Sequence, residues 1–128
     1  MKILFLGDVM GRAGRQAIVG NLPTMRAEWG LDFVVVNGEN ATSGMGLSGA
    51  HAKALLEAGA DVVTLGDHAF DQKDMLQFIE HEPRIIRPLN FSKAAPGKGA
   101  RVFTAAGKKI LVTQALGQVF MKRPFDDP

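Results

Sequence analysis

Three short segments place carboxylates where an α/β protein does its chemistry: Gly7-Asp8-Val9-Met10-Gly11, Gly38-Glu39-Asn40 and Gly66-Asp67-His68. Each starts as an apolar run ends, after residues 2–6, 33–36 and 62–65. In each, a glycine is followed at once by a carboxylate, and twice an Asn or His comes next. If the runs are neighbouring parallel strands, the tips share one edge of one sheet, the edge where ligands of open α/β sheets bind. Asp8, Glu39, Asn40 and Asp67 then offer hard oxygen donors suited to Mg²⁺, Mn²⁺ or Fe. Two such ions about 3.5–4 Å apart clamp a phosphate and activate water. His68, beside a ligand, is placed to give a proton to a leaving oxygen.

Each tip alone has a plainer reading. Asp8 is a natural helix N-cap or turn residue, Glu39-Asn40 an ordinary polar loop, and Gly-Asp-His an Asx-turn. Their recurrence at three successive strand ends favours a site. The glycines are expected to bring backbone close to the ions and to take positive φ at the strand exits. Gly7, Gly11 and Gly14 could cradle a phosphate at a helix N-terminus, with Arg12 and Arg15 adding charge. They match neither the dinucleotide fingerprint nor a Walker motif. Residues 41–48 read as a flexible rim over the site. His51, in a surface helix, and His81, at a helix end, are assigned to structure. Asp71 and Asp74 read as first-turn helix carboxylates, and Asp126 and Asp127 as solvated.

The elements that must position these residues alternate strand and helix. Strands are expected at residues 2–6, 31–36 and 61–65, and helices at 12–29, 48–58 and 71–81. Pro23 should kink or divide the first helix. Ser48 is the N-cap of the second and Gly59 its stop. Ile85-Ile86 is a brief apolar piece, residues 90–99 a loop, and residues 100–105 and 109–115 a hairpin. The run 31–36 is apolar throughout, as in a sheet covered on both faces. This order gives an α/β, layered fold: a βαβαβα parallel unit with right-handed crossovers, followed by a β-hairpin.

The chain has 128 residues, enough for one domain with a real core. A net charge of +2, with no basic block, carries no DNA-binding signature. With no cysteine, disulfides and thiolate ligands are excluded. No apolar run reaches the ~20 residues of a membrane span, and Met1-Lys2 leads into a short strand rather than a signal peptide. The expectation is a cytoplasmic protein without a membrane partner. Residues 119–128 have no helix pattern and end on Asp-Asp-Pro, which usually opens an element, so the chain reads as cut at a loop.

Taken together, Gly7-Asp8-Val9-Met10-Gly11, Asn37-Gly38-Glu39-Asn40-Ala41, Thr64-Leu65-Gly66-Asp67-His68 and Glu82-Pro83-Arg84 resemble the YmdB-type branch of the calcineurin-like metallophosphoesterases. Arg87-Pro88-Leu89-Asn90, Pro96-Gly97-Lys98-Gly99 and Val119-Phe120-Met121 extend the resemblance over nearly the whole chain. It implies a metallophosphoesterase-like fold and a phosphodiesterase that hydrolyses 2′,3′-cyclic nucleotides or related phosphodiesters with two divalent metal ions (Fe, Mn or Mg). It further implies Asp8, Glu39, Asn40 and Asp67 as metal ligands and His68 as the proton donor near the leaving group.

Two departures from the family pattern matter. The motif commonly reads Gly-Asn-His, and here Asp67 replaces the Asn, adding negative charge. Family members are about twice as long, and their later half supplies further histidine ligands. By this resemblance residues 1–128 form the N-terminal part of a single metallophosphoesterase domain, an incomplete fold. An exposed sheet edge would then favour a homo-oligomer or docking to the missing C-terminal half. The alternative reading is a non-catalytic metal- or nucleotide-binding regulatory module.

Overall fold

A computed structural model describes residues 1–121, so Asp126, Asp127 and most of the unusual tail lie outside the described residues. Four parallel strands stand side by side in the order β1-β2-β3-β4: β1 (Ile3–Leu6), β2 (Phe33–Asn37), β3 (Val62–Thr64) and β4 (Ile85–Ile86). The register aligns Leu4 with Val34, Val36 with Val63, and Thr64 with Ile86. Between the strands run α1 (Gly11–Trp29), α2 (Gly49–Glu57) and α3 (Met75–His81). Because every right-handed crossover steps in the same direction, all three helices fall on one face of the sheet. Ile18 and Leu22 of α1, Leu55 and Leu56 of α2, and Met75 and Ile79 of α3 form one core there with Val34, Val36, Val63 and Ile85.

The opposite face is covered by an antiparallel hairpin, β5 (Ala100–Ala105) and β6 (Lys108–Thr113). Its Phe103, Ile110 and Val112 pack on Phe33, Val35, Val62 and Ile86. Ala106 and Gly107 both have positive φ, 47° and 69°, the geometry of a two-residue turn whose twist matches the flanking strands. The continuous apolar run of β2 is therefore explained: all five of its residues are buried, between helices and hairpin. Cover is thinner over β1, the edge strand, where Ile3 and Phe5 are 48% and 63% exposed. No described helix is long and apolar enough to cross a membrane.

Two expectations are corrected. Helix α1 runs undivided from Gly11 to Trp29 with Pro23 inside it. Pro23 and Val19, one turn back, both lie on the exposed side, so water can satisfy the carbonyl that loses its amide partner. The third helix starts at Met75 rather than Asp71. Residues 67–74 instead form turns and bends, because their polar groups are engaged across the fold: the Asp74 carboxylate accepts from the Gly49 amide at the start of α2, 2.8 Å away. Ser48 caps α2 as expected, accepting from the His51 amide at 3.3 Å, an interaction of about 1 kcal/mol.

Candidate metal site at the strand ends

Consecutive parallel pairing carries the ends of β1, β2 and β3 to one sheet edge, and backbone hydrogen bonds tie the segments beyond them. The Val9 amide donates to the Asn37 carbonyl (3.1 Å), Gly11 to Asn40 (2.9 Å), and Gly38 to Thr64 (2.9 Å). Asp8, Glu39, Asn40, Asp67 and His68 all lie on this edge. The Gly11 amide is consumed by Asn40 and the Gly14 amide by Met10, so the first glycine segment is a closed joint rather than a phosphate cradle. Arg15 likewise spends its guanidinium on the Ala41 carbonyl, fastening α1 to the loop after β2.

The side chains arrange as two pairs. At one end the Asn40 amide donates to Asp8 Oδ1 at 2.8 Å, both groups reaching solvent. At the other, Glu39 stands beside Asp67. Glu39 Oε1 accepts from the Asn37 amide at 3.3 Å, while Oε2 is buried with no hydrogen-bond partner. Burial pushes the Glu39 carboxyl above its ordinary range; the Asn37 hydrogen bond opposes this, and the adjacent Asp67 carboxylate adds to it.

His68 is held at Nδ1, and its Nε2 lies within ion-pair range of Asp67. Nδ1 lies 2.6 Å from Asp71 Oδ2, and Nε2 is 3.8 Å from Asp67 Oδ2. The Asp71 contact raises the His68 pKa against the opposing effect of partial burial, and the Asp67 charge adds to the rise. Asp71, expected as a helix-turn carboxylate, is instead the partner that orients the imidazole.

Residues 41–48 are not a loose rim. Ala41 and Leu47 are fully buried, and the stretch closes on itself through Thr42 to Gly46 (2.9 Å) and Gly44 to Asn40 (3.1 Å). Thr42 Oγ1 lies 2.7 Å from His51 Nδ1 and accepts from the Ser48 amide at 2.9 Å. Burial, with Arg15 nearby, lowers the His51 pKa, so His51 serves as a neutral brace for this loop. His81 closes α3 at its exposed C-terminal end, as expected of a dipole-stabilising residue.

The strand-exit glycines do not take positive φ; among these segments Asp8 does, at 46°, and Gly11 at 54°. The glycines are needed for space instead. A Cβ on Gly38 would stand 2.8 Å from Val63 Cγ1, and one on Gly66 would overlap the Glu39 carboxylate.

Among the described residues, no three His, Asp or Glu side chains close on one point as a ready cation cage. The donor chemistry nonetheless fits a hard cation at the Glu39–Asp67 end. Two carboxylates face each other there, and one oxygen is buried without a donor, an arrangement that a divalent ion relieves. Asn37 and Asp71 were not singled out from the sequence as site residues. A buried Asn one strand position before the motif and an Asp three residues after His68 are weak signals, resolved only by contacts in space.

The sequence profile of the YmdB-like protein family matches residues 4–128. The chain is 39% identical over 128 residues to a 2′,3′-cyclic-nucleotide 2′-phosphodiesterase of Bacillus subtilis strain 168, covering all of this chain and 48% of that protein. It superposes on the crystal structure of a hypothetical protein from Thermus thermophilus with a TM-score of 0.92 and 41% identity, covering 100% of this chain and 49% of the other. A novel phosphatase from Mycoplasma pneumoniae gives a TM-score of 0.90 at 38% identity, covering 100% and 47%. The chain thus spans about half the length of the relatives it matches.

Proposed function

This chain belongs to the YmdB-like family, and from that premise we propose that it carries the N-terminal half of a metal-dependent phosphodiesterase site acting on 2′,3′-cyclic nucleotides or related phosphodiesters. The observation that carries the proposal is the Glu39–Asp67 pair, with an orphaned carboxylate oxygen, next to an imidazole fixed by Asp71. Asp8 and Asn40 would hold one divalent ion, Glu39 and Asp67 would share in holding a second, and the ions would come from Fe, Mn or Mg. When bound, such a pair neutralises phosphate charge and lowers the pKa of water.

The chain's own residues supply the rest. With Nδ1 engaged by Asp71, His68 is left with Nε2 as the nitrogen that reaches substrate. Its raised pKa keeps the ring protonated closer to neutral pH, so it can give the Nε2 proton to the departing oxygen of the cyclic ester. Asn37 holds one oxygen of Glu39 and leaves the other free to bind. Arg15 and the Thr42–His51 pair anchor the loop that presents Asn40. The remaining donors would come from the other half of the relatives' length or from a second copy of this chain.

A non-catalytic metal- or nucleotide-binding module is the second reading, favoured by the lack of a three-ligand cage among the described residues. Metal content of the purified chain, combined with manganese-supported hydrolysis of bis-p-nitrophenyl phosphate, separates the two. Bound metal with turnover that disappears in His68→Ala supports the hydrolytic reading. Metal without turnover, even after mixing with a relative's C-terminal half, supports the binding module.

A further inference from the structure

Glu39 is the half-buried carboxylate of the site, yet the Asn37 amide holds only its Oε1. Its position is set by shape instead. A Cβ built on Gly66 would overlap Glu39 Oε2 and Cδ outright and stand 2.5 Å from Oε1. The carboxylate therefore fills the space that a side chain at residue 66 would need. Of the three strand-exit glycines this is the closest approach: a Cβ on Gly7 would only touch the Phe5 ring at 3.4 Å.

Gly66 has no conformational reason to be glycine, since it is not among the residues with positive φ. Its backbone also has little room to retreat. Immediately before it, the Leu65 amide donates to Ile86 at 2.8 Å, and the Gly66 carbonyl accepts from Ala69 at 3.1 Å. On the other side the Gly38 amide is bonded to Thr64 at 2.9 Å, which fixes the origin of the Glu39 side chain. A methyl group at residue 66 must displace the carboxylate rather than the strands.

Resting on the metal reading above, we propose that Gly66 is the positioning residue for Glu39: its missing side chain is the seat that aims the carboxylate, beside Asp67, at a divalent cation. Gly66→Ala tests this without introducing positive-φ strain. Calorimetric titration with Mn²⁺ should show affinity reduced by roughly 10- to 100-fold, the range expected when a group that orients a ligand is lost. In a Glu39→Asp background, where the carboxylate is one methylene shorter and clears residue 66, adding Gly66→Ala should cost nothing further.

Unchanged Mn²⁺ affinity in Gly66→Ala, or a loss of equal size in the Glu39→Asp background, overturns the proposal. If the unmodified chain binds no Mn²⁺, the metal reading fails. Crystal structures of metal-free Gly66→Ala and its parent then decide the seat alone: a displaced Glu39 carboxylate supports it and an unmoved one overturns it. Should Gly66→Ala not fold, the Gly66→Ala/Glu39→Ala double variant decides: recovered folding supports the collision, and continued misfolding places the constraint elsewhere.

Discussion

The two ends of the sheet edge solve the problem of grouping polar side chains in opposite ways. At the Asp8–Asn40 end a carboxylate accepts from an amide, and the pair reaches solvent. At the Glu39–Asp67 end two carboxylates are neighbours, one is half-buried, and one of its oxygens has no donor. A satisfied pair of the first kind holds its shape with or without a ligand. The second kind costs free energy until something positive arrives. On the metal reading proposed above, the contrast would put the affinity for a cation at Glu39, with Asp8 and Asn40 as its complement.

Removing ligands from the two ends should separate them most strongly. Glu39→Ala is expected to lower Mn²⁺ affinity by more than the roughly 100-fold that outer partners reach, and Asp8→Ala to lower it less. Calorimetric titration of both variants checks the order, and equal losses would erase the distinction.

The imidazole of the crowded end gives the next effect. Asp71→Asn replaces the carboxylate that raises His68 with a neutral amide, so the ring pKa, followed by NMR titration, should fall. An unchanged titration would mean that Asp71 does not control the proton.

A gentler change acts on the carboxylate pair itself. Asp67→Asn replaces one charge with an amide able to donate to Glu39, and should stabilise the metal-free protein. Because Asp67 is 41% exposed, solvent screening holds the gain to about 0.5–1 kcal/mol, a melting shift of a few degrees. A drop in melting temperature would contradict the picture of unrelieved repulsion.

The same strain has a pH signature. The folded-state pKa of Glu39 lies above its unfolded value, so folding favours the protonated acid. Its contribution is fully present below the ordinary carboxylate range near 4.5 and is lost as pH rises through the raised value. Metal-free unfolding free energy should therefore decline over that window, and Glu39→Gln should remove this part of the decline while leaving the rest of the profile in place.

Much of this was legible in the sequence, for identifiable reasons. Strand–helix alternation, the apolar run of β2 and the glycine that ends each run are local signals, and they place Asp8, Glu39, Asn40, Asp67 and His68 on one edge. Ser48 and Gly59 marked the bounds of α2 because capping chemistry is local too. Legibility failed where a residue answers to a distant partner. Pro23 is tolerated because its side of α1 faces water, and α3 starts late because Asp74 serves α2 and Asp71 serves His68. The glycines were expected to bend the chain, whereas Gly38 and Gly66 make room for side chains from other strands. Steric vacancy of that kind leaves no periodicity to read.

The central claim is that the Glu39–Asp67 end is built for a divalent cation, and thermal unfolding of the metal-stripped chain with and without Mn²⁺ tests it most directly. The account predicts a melting temperature that climbs with Mn²⁺ concentration. It also predicts that Glu39→Ala, folded and stripped in the same way, loses that response. A melting temperature indifferent to Mn²⁺ in the unmodified chain, or an equal rise in both proteins, would contradict it.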